Sequence, residues 1–142
     1  MQSSTARTGL KKIDDRAATG KAISLQTWGI VPKIRDWAAA TPGPHVVEAH
    51  PELSFRAMAP ECGFAGKKTT RGAAHRLAAL GRWLGPAAVP DALAGVPDGV
   101  PLADALDALA CAWSAARFAR GAHEPLGDGV DPGTGRPMSI VV

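Results

Sequence analysis

His45-Val46-Val47-Glu48-Ala49-His50-Pro51-Glu52 is the stretch that decides how this chain folds. The short β-branched run at 45–49 reads as a buried strand, because Val46 and Val47 point to opposite faces and both ask for cover. Pro51 lacks an amide hydrogen and presets the φ of a first helical turn, so a helix follows through Phe55 and Met58. A strand handing over to a helix points to an α/β chain. Glu48 is left near the strand's end, on the same side as His50, facing a cleft. His50 reads equally as a capping or packing residue. Glu52 falls in the first turn of the helix, where the helix dipole alone accounts for a carboxylate.

Outward from this junction the chain reads as helix-rich. Leu25, Trp28, Ile30, Val31, Ile34 and Trp37 follow a helical period over 24–40, with Ser24 as N-cap and Pro32 expected to kink or split the helix. Residues 1–20 are polar and read as a loose lead-in or one short helix. A helix is predicted from Thr69 or Thr70 to about Leu84, with Ala73, Leu77, Leu80 and Leu84 as its apolar stripe and the basic residues elsewhere on the cylinder. Asp91 to Ala94 suits one short turn. Pro101 opens the strongest helix, which ends near Arg120, with Gly121 at its C′ position. Its core stripe is Leu102, Leu106, Leu109, Trp113 and Ala116. Met138-Ser139-Ile140-Val141-Val142 reads as a closing strand.

Asp104 and Asp107 lie three apart on that last helix, so their side chains are surface neighbours. The dipole explains Asp104, which stands in the first turn. Asp107 lies further in, where aspartate is a poor helix former and the like charge repels. Acids from a strand end and a helix can share a divalent metal that activates water at a phosphodiester. Solvated surface acids explain the helix pair as well. Glu48 is the stronger candidate.

The net charge of +3 is unevenly spread: residues 1–40 carry +4, residues 62–83 carry +5 with no acid, and the three remaining segments are −2 each. Acidic segments holding the candidate ligands thus alternate with basic ones, as in a nucleic-acid enzyme or in any protein with solvated helix faces. Gly66-Lys67-Lys68-Thr69 fails as a phosphate-binding loop of the Walker type, because Lys68 stands where Ser or Thr is needed and Glu61 where the first glycine is. Lys67 and Lys68 still precede a cappable helix start, a suitable phosphate contact or a merely solvated entrance. The four tryptophans fit helical core stripes. Cys62 and Cys111 are far apart and read as reduced thiols of a cytoplasmic protein. No apolar run nears the roughly 20 residues of a membrane-spanning helix.

Four blocks carry a family resemblance: Ser24-Leu25-Gln26-Thr27-Trp28-Gly29-Ile30 with Lys33-Ile34-Arg35-Asp36; Glu48-Ala49-His50-Pro51-Glu52-Leu53-Ser54-Phe55; Lys67-Lys68-Thr69; and Leu106-Asp107-Ala108-Leu109-Ala110. In order and spacing they resemble the domain-of-unknown-function family 429 (DUF429), regarded as predicted nucleases with an RNase H-like fold. The resemblance covers residue 13 onward, the Glu-x-His-Pro-Glu block being its most specific part. It implies an α/β, helix-rich, incomplete RNase H-like domain with two or three short strands, spanning 1–142 as one partial domain with its family-like region at 21–142. It implies Mg²⁺ or Mn²⁺ held by Glu48 and Asp107, with Asp104 beside them as a catalytic acid and Lys67 and Lys68 on phosphate. Members begin with a strand bearing an aspartate, and nothing before Lys21 reads as that strand. The expectation is therefore the C-terminal part of a metal-dependent nuclease, inactive or weak by itself. Without the leading strands apolar helix faces would be left uncovered, so marginal stability, self-association or dependence on a separate N-terminal fragment is expected. A non-catalytic nucleic-acid or protein-interaction remnant is the alternative.

Overall fold

The structure, a computed structural model, describes residues 25–40, 43, 45–133 and 135–142. The chain divides into two units, Met1–Gly43 and Pro44–Val142. In the first, helix α1 (Leu25–Ala39) contains Pro32 without being split. Trp37, expected in a core stripe, is exposed, as are Ile30 and Ile34. The expected N-cap Ser24 and the lead-in at 1–20 lie outside the described residues.

The second unit runs α2 (Pro51–Met58), α3 (Thr70–Leu84), α4 (Ala88–Ala94), α5 (Leu102–Ala119), β1 (Pro125–Val130) and β2 (Pro137–Val141). With α1, the described residues make a helix-rich α/β fold with one two-stranded antiparallel sheet. The 45–49 strand is cut down to a single parallel bridge between Glu48 and Ile140, sealed by the Val141 amide donating to the Glu48 carbonyl at 2.8 Å. Pro51 opens α2 so soon after Glu48 that little extended chain is left to pair. On the other edge of β2 lies β1, which the sequence hides. Its Pro-Leu-Gly-Asp-Gly-Val composition opposes strand formation, and the pairing is irregular between Leu126 and Gly129. A side chain at Gly127 would meet the Met138 carbonyl oxygen at 2.8 Å, so that irregularity requires glycine.

Three helix boundaries have a clear local cause. Pro51 occupies the first turn of α2. Thr69 caps α3, its hydroxyl accepting from the Gly72 amide at 3.0 Å and donating to the Gly66 carbonyl at 2.8 Å. Gly121 ends α5 at φ 68°, with the Ala122 amide bonded to the Arg117 carbonyl and the Gly121 amide to the Phe118 carbonyl, a Schellman closure. The core gathers Phe55 of α2, Ala79 and Leu80 of α3, Val89 of α4, and Leu106 and Ala110 of α5. Burying each large apolar side chain here contributes about 1.5–3 kcal/mol.

Two stripes depart from the sequence reading. On α3 the buried positions are Gly72, Arg76, Ala79 and Leu80, so a basic residue expected on the outer cylinder sits inside. On α5, Leu102 is exposed, while Ala105, Leu106, Ala110, Trp113 and Ser114 are buried. Ser114 meets Ser54 of α2 at 2.7 Å, and Ser54 also reaches the His50 carbonyl at 3.1 Å. If Ser54 gives its one hydroxyl proton to that carbonyl, Ser114 donates to Ser54.

Candidate anion-binding cleft

The segment between α2 and α3 is fixed from beneath by α3. The Ala65 amide donates to His75 Nδ1 at 3.3 Å, and the Ala65 carbonyl accepts from Arg76 Nη1 at 3.0 Å. A Cβ on Gly72 would lie 2.1 Å from the Gly66 carbonyl oxygen, so only glycine lets this loop rest on the helix. Lys67 and Lys68 are thereby presented on a braced turn.

Arg76 is the anchor of the arrangement and is 2% exposed. Its Nη2 forks onto both Glu52 oxygens at 2.8 and 2.7 Å, and Nη1 also reaches the Gly72 carbonyl at 2.9 Å. The guanidinium lies 5.4 Å from the ring centroids of both Phe55 and Phe64. A buried arginine survives because carboxylate, carbonyls and π-faces replace its water. Glu52 therefore does more than complement the helix dipole: it holds the counter-charge that lets Arg76 join α2 to α3.

Above this anchor opens a cleft of about 670 Å³ lined by Glu52, Arg56, Cys62, Phe64, Lys67 and Arg76, among others. A second depression, of about 330 Å³, lies between the start of α3 and the start of α5, with Lys67, Lys68, Thr70 and Leu106 in its walls. Lys67 borders both. Its ammonium donates to Asp107 Oδ2 at 2.8 Å, with side-chain exposures of 42% for Lys67 and 19% for Asp107. This hydrogen bond, the Asp107 charge, and the more distant Glu52 and Asp104 hold Lys67 above the ordinary lysine range. One turn further along α5, burial pushes the Cys111 thiol up, with Asp107 adding to the effect.

The candidate residues are thus only partly brought together. Lys67 and Asp107 touch, with Asp104 near enough to act on Lys67 electrostatically. Lys68 is exposed on the smaller depression. Glu48 is exposed at its bridge with Ile140 and lines neither depression. Among the described residues no three His, Cys, Asp or Glu side chains stand together as a metal-holding group. Asp107 offers a metal little, since Oδ2 lies under the Lys67 ammonium and Oδ1 is enclosed. These residues do not fit a two-metal centre as arranged.

Two residues essential to the site escape a reading by motif, Gly72 and Arg76. Their four-residue spacing on one helix face, with Thr69 ahead of them, was the signal available.

No curated protein and no solved structure matches the chain. Residues 4–131 match the family described as protein of unknown function, DUF429, so that the four sequence blocks, the Glu52–Arg76 anchor and the Lys67–Asp107 pair fall within one matched stretch. The chain belongs to the DUF429 family.

Proposed function

We propose that this chain binds phosphodiester nucleic acid along the Lys67–Lys68 face, and that by itself it cleaves it weakly or not at all. The observation that carries the reading is the braced turn. A loop locked by Gly72, Arg76 and the Thr69 cap presents two adjacent lysines beside two depressions, one of which also carries Arg56. Rigid cations next to a groove lower the ordering cost of gripping a phosphate backbone. The nuclease reading that the family resemblance implies asks Glu48 and Asp107 to hold Mg²⁺ or Mn²⁺, with Asp104 beside them as a catalytic acid. The engagement of Asp107 by Lys67 argues for binding as the dominant activity.

The test is anisotropy of a labelled single-stranded oligonucleotide with the full chain, alongside a cleavage assay in Mg²⁺ and in Mn²⁺. Binding is expected to persist in Glu48→Gln and to fall about tenfold in Lys67→Ala plus Lys68→Ala at low salt. Vigorous metal-dependent cleavage abolished by Glu48→Gln would overturn the reading in favour of a nuclease.

A further inference from the structure

Lys67 and Asp107 are unequally placed. The lysine is exposed enough to be reached from either depression, while the carboxylate lies behind it and is largely covered. Lys67 spends one of its three ammonium donors on Asp107 Oδ2. Asp107 Oδ1 is enclosed with no hydrogen-bond partner, so only one of the two carboxylate oxygens is engaged in this arrangement. The pair is therefore open to exchange: Lys67 can turn to another anion without leaving its braced loop, and Asp107 holds it by one contact. The contrast with Glu52 is direct, because there both oxygens are taken by a single guanidinium.

We propose that Asp107 is the resident anion of a phosphate subsite centred on the Lys67 ammonium, and that an incoming phosphate group competes with it. This rests on the phosphodiester reading above and adds its regulation. While the pair is closed, weak anions are excluded from Lys67, and cations are excluded from Asp107. Binding of phosphate at Lys67 loosens the pair, and by reciprocity whatever loosens the pair favours phosphate. A phosphate group offers acceptor oxygens to the two ammonium donors that Asp107 leaves open; a phosphodiester does so with the same single charge as the aspartate, and inorganic phosphate with more. Glu52 and Asp104, the other acids acting on Lys67, raise the threshold further. A supporting role for Asp107, in which it merely points Lys67 at the ligand, has the opposite consequence. Removing a support weakens binding, whereas removing a competitor strengthens it.

Inorganic phosphate is the probe, titrated into the full wild-type chain, Asp107→Asn and Lys67→Ala while the Lys67 ε-carbon and Asp107 carboxyl carbon signals are followed by NMR. The wild-type chain should move both signals with one dissociation constant. Asp107→Asn should bind phosphate about threefold tighter, the size of one like charge removed at short range in water. Lys67→Ala should lose saturable binding. Asp107→Ser, smaller and also neutral, gives the same comparison if the asparagine disturbs α5. The proposal is overturned if phosphate moves Lys67 while Asp107 stays still, or if both neutral variants bind no tighter than wild type. Oligonucleotide binding in the same buffers separates the two readings. If the oligonucleotide binds but phosphate is no tighter in the neutral variants, the competition fails and the binding function stands. If the oligonucleotide binds no variant, the binding function fails, and the phosphate titration still decides the competition.

Discussion

One ion pair ties α2 to α3, another of nearly the same length ties the turn before α3 to α5, and they do different work. At the α2–α3 seam, Arg76 is buried, forks onto both oxygens of Glu52 and spends Nη1 on two backbone carbonyls. Between the turn that leads into α3 and helix α5, Lys67 meets one oxygen of Asp107 with much of its side chain in solvent. Distance does not separate them; burial and the number of satisfied donors do. The first pair cannot be opened without stranding a charge in the interior, whereas water or another anion can take over the second. The molecule thus sets an exchangeable contact on top of a fixed one.

The largest effect expected is from breaking the fixed seam. Arg76→Met should cost about 3 kcal/mol in urea unfolding, since it removes the fork onto Glu52 and strands the Ala65 and Gly72 carbonyls that Nη1 satisfies. Next comes Gly72→Ala, at about 1–3 kcal/mol, because the added methyl overlaps the Gly66 carbonyl and must lift the loop. The same variant should weaken oligonucleotide binding by displacing Lys67, which links the two seams. Ser54→Ala should cost about 1–2 kcal/mol by orphaning Ser114, and adding Ser114→Ala should restore part of that loss in a double-mutant cycle.

The exchangeable seam should yield the smallest change in stability. Asp107→Asn should shift the unfolding free energy by no more than about 1 kcal/mol. Its pH dependence has a definite sign. Lys67 is raised in the folded chain, chiefly by its hydrogen bond to Asp107. Its contribution is therefore fully present below the unfolded lysine pKa of about 10.4 and is lost as pH rises through the higher folded value. Thermal melts from pH 9 upward should show a steeper alkaline decline in wild type than in Asp107→Asn.

Much of the helical frame is legible in the sequence because its punctuation is local. Pro51, Thr69, Pro101 and Gly121 act within a turn of themselves, and each marks the boundary expected of it. What is not legible depends on distant partners. β1 exists because β2 pairs with it, despite two glycines and a proline. The 45–49 run has the composition of a full strand yet makes one bridge, since pairing depends on what lies alongside rather than on β-branched residues. The same limit governs the site. Asp107 and Lys67 stand out singly, but only the fold reveals that they meet each other. Arg76 looks like one more basic residue of an exposed face until Glu52, Phe55 and Phe64 are brought around it.

On the function proposed above, the braced Lys67–Lys68 turn grips phosphates. The most direct test is the salt dependence of oligonucleotide binding by wild type and by Lys67→Ala plus Lys68→Ala. Each phosphate contact on a single strand contributes about 0.7 to the slope of log affinity against log salt. The double variant should therefore show a slope shallower by about 1.4, with unfolding stability close to wild type. An unchanged slope, with both chains folded and binding, would contradict the account.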